Sequence, residues 1–430
     1  MLRALSHKNY RLFFSGQSIS LIGTWMTRIA TSWLVYRLTG SALLLGLVGF
    51  AGQIPSFLLA PFAGVLVDRW NRHHLLVITQ VCALLQSLAM ALLTMLGLIK
   101  MWHVIVLSIV QGVINAFDMP ARQAFVVELV EKRDDLANAI ALNSSMVNAA
   151  RLLGPSIGGV VIAAVGEGWC FMIDAISYLA VIASLLAMKI TARMWQPTND
   201  ANILQQIREG WNYAARFAPI RNILILLALV SLVGMPYTVL MPIFANEVLR
   251  GGPNTLGLLM AASGVGALIG AMFLAARKSV LGLGKFIPLM AAVFGAGLIA
   301  FSFTRLLWLS LILMIATGLG FMVQMAVSNT VLQTIVDEDK RGRVMSFYTM
   351  AFMGTAPFGS LLAGSVADHI GAPHTLMFGG LGCIVGAIWF AQTLPALRRD
   401  VQPIYVKIGI LPEVATGIQH STELSVPPNA

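Results

Sequence analysis

Charge is what this sequence has least of. Only 11% of its 430 residues are Asp, Glu, Lys or Arg, where a soluble domain carries about 25%. With 58% hydrophobic residues, that deficit excludes a water-soluble globule and puts most of the chain in a lipid bilayer. Cysteine is scarce too. Cys82, Cys170 and Cys383 lie far apart within apolar stretches, which excludes a disulfide framework and a thiolate metal spacing. His73 and His74 are adjacent, and adjacent side chains diverge rather than share a metal. No Walker A run occurs, so ATP is not the expected energy source, and the chain does not read as an enzyme. Basic residues outnumber acidic ones, 28 to 18, giving a net charge of +10. In a soluble chain that excess points to nucleic acid. Here it falls between apolar runs and reads as membrane topology, with no nucleic acid partner.

A membrane span needs about 20 apolar residues. Twelve such spans are present, at 12–36, 42–67, 75–98, 102–125, 139–165, 169–188, 222–245, 255–276, 286–304, 306–330, 345–367 and 374–394. The expected fold class is an all-α membrane protein with both termini on one side. Of the 28 Lys and Arg, four (Arg37, Lys100, Arg250, Arg305) fall on the opposite side and two (Arg28, Arg151) within spans, which leaves 22 on the termini side. The positive-inside rule puts that side in the cytoplasm. Arg3, Lys8 and Arg11 precede a run that is too long for a cleavable signal peptide and lacks a small-residue cleavage site.

The spans divide into a six-helix bundle at 1–190, a cytoplasmic linker at 191–221, a second six-helix bundle at 222–395 and a polar tail at 396–430 that is expected to be disordered. Apolar residues between Ile203 and Tyr213 recur at three- and four-residue steps, which predicts an amphipathic helix on the membrane surface. The halves repeat. A shift of 206 places Gly64 on Gly270, Arg72 on Lys278 and Gly112 on Gly318; a shift of 205 places Gly154 on Gly359, Gly159 on Gly364 and Gly166 on Gly371. Parallel six-span repeats are a transporter architecture. The copy breaks at Asp68, which falls on Leu274.

Between the second and third spans runs Gly64-Val65-Leu66-Val67-Asp68-Arg69-Trp70-Asn71-Arg72. Positive-inside charge accounts for Arg69 and Arg72 but not for Asp68. A carboxylate at a helix C-terminus opposes the helix dipole, so Asp68 needs an arginine or another helix's N-terminus as partner. This Gly-x-Leu-x-Asp-Arg-x-x-Arg spacing resembles the corresponding loop of the major facilitator superfamily of transporters. The resemblance implies that Asp68 meets the start of the eleventh span, near Gly342-Arg343-Val344-Met345.

The fifth span carries Arg151-Leu152-Leu153-Gly154-Pro155-Ser156-Ile157-Gly158-Gly159. An internal proline removes a backbone hydrogen bond, and glycines four apart admit a neighbouring helix. The segment is either a packing seam or a bendable gate. It is similar to the Gly-Pro-x-x-Gly-Gly motif of the superfamily's exporters and antiporters, with Ala150 where their leading glycine stands. The fourth span resembles a second exporter motif around Gln111-Gly112, but Ser108 replaces the arginine implicated in proton transfer. Other intramembrane charges remain: Arg28, Asp118, Arg151, Asp174 and Asp368. Such groups face a cavity or a partner. Arg28 and Arg151 lie deepest. Asp118 is either paired with Arg122 or a neighbouring helix, or carries protons. Asp174 and Asp368 lie near span ends, where water makes charge cheap. The run Asp118-Met119-Pro120-Ala121-Arg122-Gln123, with Val126-Val127-Glu128-Leu129-Val130, resembles the enterobactin-exporter and macrolide-exporter branch.

The resemblance implies a secondary transporter whose two halves rock about a central site. It is expected to be monomeric, to sit in a bacterial inner membrane, and to move a small amphiphilic molecule, drug-like or siderophore-like, outward against protons without a cofactor. The expected gate is Gly64, Asp68, Arg69, Arg72, Gly154, Pro155, Gly158 and Gly159; the coupling and substrate candidates are Arg28, Asp118, Arg151, Asp174 and Asp368. An uptake symporter or lipid flippase of the same fold, or a receptor or scaffold without transport, are the alternatives. The substrate, the ion and the oligomeric state are not legible in the sequence.

Overall fold

A computed structural model describes residues 3–130, 133–188, 211–277, 279–338 and 340–407, without the side chains of residues 60, 61, 64, 65, 68, 69, 133, 134, 137 and 407. Twelve helical passes account for nearly all of it. They are α1 (Lys8–Thr39), α2 (Ala42–Arg69), α3 (Arg72–Met95), α4 (Met101–Glu128), α5 (Arg133–Val165), α6 (Glu167–Leu186), α7 (Ala218–Val248), α8 (Pro253–Ala275), α9 (Phe286–Phe303), α10 (Leu307–Ile335), α11 (Arg341–Ile370) and α12 (Ala372–Lys407). Eleven hold a stretch long and apolar enough to cross a bilayer; α1, with Arg11, Arg28, Arg37 and Gln17, is the more polar twelfth. Among the described residues there is no strand.

Helices are the answer to a solvent that cannot hydrogen-bond the backbone. Their outward faces are apolar at helical spacing. Ile78, Val81, Leu85 and Leu92 stand exposed along α3, and Phe378, Leu381, Val385 and Ile388 along α12. On a soluble protein, apolar patches of this extent are uncommon; here they face lipid. Exposed tryptophans mark the two interfaces. Trp102, Trp169 and Trp308 open α4, α6 and α10 at the end of the molecule away from the termini, here the distal face; Trp70 and Trp211 lie at the termini face.

Packing repeats after six helices. The pairs α1–α6, α2–α4, α3–α4 and α3–α6 recur as α7–α12, α8–α10, α9–α10 and α9–α12. The halves meet through α5 on α8 and α2 on α11, two contacts that the same six-helix shift exchanges. The parallel repeat read from the sequence is thus the architecture of the molecule.

Two departures matter. In α7 and α11 the ladder widens, at Val230–Gly234, Phe244–Val248 and Met350–Gly354. Pro236 has no N–H to continue the regular bonding; the Met235 N–H bonds to the carbonyl of Val230 at 3.2 Å. The wide turns of α7 and α11 are stitched together by Ser231, whose hydroxyl donates to the carbonyl of Phe352 at 2.5 Å. Second, α12 does not stop where the polar tail was expected, at 396, but runs to Lys407. Leu394, Leu397, Val401, Ile404 and Tyr405 form one apolar stripe packed on the core, which holds the helix despite Arg398, Arg399 and Asp400. The expected amphipathic helix around Ile203 lies outside the described residues; Trp211–Arg216 is helical.

Candidate functional site

The fifth-span glycines face two ways. Gly154 and Gly158 face α1. A side chain on Gly154 would collide with Trp25 and stand 2.9 Å from the carbonyl of Ile22; one on Gly158 would stand 3.3 Å from the Cα of Met26. Gly159 faces the other half: a Cβ there would lie 2.7 Å from the carbonyl of Pro253 and 3.0 Å from the Cα of Gly257. The repeat supplies the mirror image. Gly359 of α11 abuts Leu232 and Pro236 of α7, and Gly364 abuts Gly46 of α2, where a Cβ would stand 2.9 Å from its Cα. The sequence offsets of 205 therefore mark two equivalent seams between the halves. Pro155 lies within α5, its carbonyl against Gly257.

Polar contacts join the halves at the distal face. The Tyr36 hydroxyl donates to Glu247 Oε1 at 3.0 Å and accepts from Asn246 Nδ2 at 2.8 Å. Ser41, the N-cap of α2, donates to Asp368 Oδ1 at 3.3 Å. Asp368 is exposed, as its position near a span end implied. Toward the middle, Phe358 makes edge contacts with Phe50 and Phe57, and Phe57 fills the space left by Gly354. Of these partners the sequence singled out Asp368 alone. Tyr36 and Glu247 are 211 residues apart, and no local pattern pairs them.

Within the first half, the two buried aspartates differ. Asp118 is paired with Arg122 one turn along and accepts from Thr79 at 2.9 Å and Gln80 at 2.7 Å. A carboxylate so supplied is a structural clamp between α3 and α4. Asp174 corrects the sequence reading. It is not at a solvated end but 2% exposed, on the inward stripe of α6 with Cys170, Phe171, Tyr178 and Val181. Its Oδ2 accepts from Thr27 of α1 and Ser87 of α3, both at 2.9 Å, while Oδ1 has no hydrogen-bond partner. No cation pairs with it among the described residues. The available signal was a run of polar residues, Thr27, Ser87 and Ser177, inside apolar helices.

Arg28 and Arg151 converge on one ring. The Arg28 guanidinium carbon lies 4.7 Å from the centroid of Trp25, and that of Arg151 lies 5.8 Å from it. Gly154 makes this possible, since its missing side chain lets α5 lie on Trp25 with Arg151 three residues earlier. Trp25, Arg28, Ser32 and Tyr36 recur at helical spacing, and Tyr36 reaches the second half. Arg28 is thus directed at the space between the halves, where it is exposed. Neither arginine has a hydrogen bond or ion pair among the described residues. A guanidinium in mid-membrane costs about 2.5–3.5 kcal/mol or more, and a cation–π contact returns about 0.5–2 kcal/mol. One shared indole does not offset two such charges.

Of the second-to-third loop, Arg72 bonds Glu128 Oε1 at 2.5 Å, tying α3 to α4, and Asn71 caps α3 through the N–H groups of His73 and His74 at 3.0 and 3.2 Å. The side chains of Asp68 and Arg69, with Gly64, lie outside the described residues, so the expected contact with the start of α11 does too. In the second half Arg277 instead lies over the rings of Phe286 and Phe273, at 4.9 and 5.9 Å.

Known proteins share this architecture. The chain is 27% identical over 395 residues to the staphyloferrin A transporter of Staphylococcus aureus, covering 91% of this chain and 98% of that one. It is 27% identical to the multidrug efflux pump Tap of Mycolicibacterium fortuitum, covering 88% and 93%, and 23% identical to macrolide efflux protein A of Streptococcus pyogenes, covering 89% and 96%. Among solved structures, the nucleoside transporter NupG superposes with a TM-score of 0.72 at 12% identity over 90% of this chain and 99% of that one. An inward-facing bacterial homologue of the human lysosomal transporter Spinster does so with 0.68 at 13% identity, over 92% and 97%. Residues 1–411 match the transmembrane secretion effector family, and the chain belongs to that family of major facilitator transporters.

Proposed function

We propose that the protein exports a small amphiphilic molecule across the bacterial inner membrane in exchange for protons, with both termini in the cytoplasm. The observation that carries this reading is the pair of glycine seams, α5 on α8 and α2 on α11, closed at the distal face by Tyr36–Glu247 and Ser41–Asp368. Two rigid halves joined at one end are the parts a rocking transporter needs. With the termini inside, the closed end is the outer one, and the cargo site opens to the cytoplasm. Relatives named as a multidrug efflux pump and a macrolide efflux protein support outward transport.

Proton coupling is supported by Asp174, a carboxyl buried without a cation, which can take up and release a proton without breaking an ion pair. Asp118 is the weaker candidate because Arg122 already neutralises it. The retained intramembrane charges argue against a scaffold that has lost transport. The test is retention of a compound panel in cells with and without the protein. Export predicts lower retention with the protein, restored by an uncoupler. Efflux that persists under the uncoupler overturns proton exchange, and higher retention with the protein overturns export in favour of uptake.

A further inference from the structure

We infer that Arg28 and Arg151, both close to the Trp25 ring, form a subsite for an anionic head group, a carboxylate or phosphate, on an otherwise apolar cargo. The inference rests on the reading above only in that the bound molecule is cargo. Three observations lead to it. Both guanidinium groups lie on one indole, so they stand no further apart than the sum of their distances from it, 4.7 and 5.8 Å. Neither has a carboxylate or hydrogen-bond acceptor of its own among the described residues. The buried acid of α6, Asp174, is engaged instead by Thr27 and Ser87.

The cluster also sits on the moving boundary. Arg151 shares a helical face with Gly154 and Gly158, which pack on α1. Leu152 beside it packs on Gly264 of α8, where a Cβ would stand 3.2 Å from its Cα. The two cations therefore belong to one half and lie at the edge of the other. The contact of α5 on α1 beside them is made with Trp25, Ile22 and Met26. Two like charges held together without an acid repel each other, and an anion entering between the halves relieves that repulsion. A cationic head group has nothing here to meet.

The test uses the full chain in lipid nanodiscs with four probes sharing one body: 4-phenylbutyrate, 4-phenylbutyl phosphate, 4-phenylbutylammonium and 4-phenylbutanol. Binding is followed by calorimetry. The anions should bind and the cation and alcohol should not; carboxylate against phosphate affinity identifies the head group. Arg28→Gln and Arg151→Gln should each weaken anion binding about tenfold or more, Arg28→Lys less, and Arg277→Gln not at all. Thermal unfolding without ligand gives a readout that a structural role would move the other way. The double Gln variant should be as stable as the parent or more so, because it sheds two unpaired charges. Equal binding of the ammonium probe, or unchanged anion binding by the double Gln variant, overturns the subsite. Anion binding lost on mutation in a protein that shows no efflux leaves the subsite standing and overturns export instead.

Discussion

Gly159 of α5 and Gly257 of α8 face each other across the seam between the halves, so close that a Cβ on either would stand 3.0 Å from the other's Cα. Backbone here packs on backbone, and no side chain can yield. Gly159→Leu should wedge the distal seam open, at an overpacking cost of about 1–3 kcal/mol. Efflux should fall roughly tenfold or more, and a cysteine replacing Asn246 should gain reactivity toward an impermeant thiol reagent. Wild-type efflux in a well-expressed Gly159→Leu protein would remove the seam from the transport cycle.

The two buried aspartates should separate by experiment. Asp118→Asn leaves Arg122 without its partner, and breaking a buried ion pair costs about 3–5 kcal/mol. The expected result is a lower melting temperature. Asp174→Asn removes no ion pair, so stability should hold while efflux stops responding to an uncoupler. Ser87→Ala should weaken the response less. If Asp118→Asn is stable and uncoupled while Asp174→Asn is silent, the roles are reversed.

Topology is open to direct labelling. In a Cys82→Ser background, which removes the exposed thiol, cysteines replacing Arg250 or Arg305 should react with an impermeant reagent added to intact cells. A cysteine replacing Arg216 should react only after lysis. The opposite pattern would place the termini outside.

Asp68 at the end of α2 opposes that helix's dipole, and its counterpart in the repeat is Leu274. Asp68→Asn should therefore leave expression intact while lowering transport severalfold. A large loss of folded protein with normal transport per molecule would make the residue structural.

Ending the chain at residue 396 should destabilise it. The cut removes Leu397, Val401, Ile404 and Tyr405, and burying an apolar side chain contributes about 1.5–3 kcal/mol when complete. Leu397 is buried and the other three are only in part buried, so a loss of a few kcal/mol is expected, seen as a lower melting temperature. An unchanged melting point would show that the stripe contributes nothing.

The sequence carried the spans because lipid demands long apolar runs, and it carried the repeat because glycines at helix crossings tolerate little else. Gly154, Gly159, Gly359 and Gly364 were thus legible together. What stands across from a residue was not legible. Asp174 reads from the sequence as near a span end, but it lies well inside α6, and its partners Ser87 and Thr27 are 87 and 147 residues away. The end of α12 was misread because Arg398, Arg399 and Asp400 outweigh in composition a stripe that shows only as a period. The indole shared by Arg28 and Arg151 follows from Gly154, which the sequence singled out for packing but not for what that packing brings together.

The lipid-facing stripes and the glycine seams set very different limits on drift. Along α3 and α12, Ile78, Leu85, Val385 and Ile388 touch only solvent of an oily kind, and one apolar side chain there serves as well as another. At Gly46, Gly159, Gly257 and Gly364 every coding change adds at least a methyl group against backbone. A saturation library of this gene should therefore show bare columns at these four positions, one on each helix of the two seams, beside lipid-facing stripes that accept almost any hydrocarbon. Those four columns lie along the line on which the halves meet.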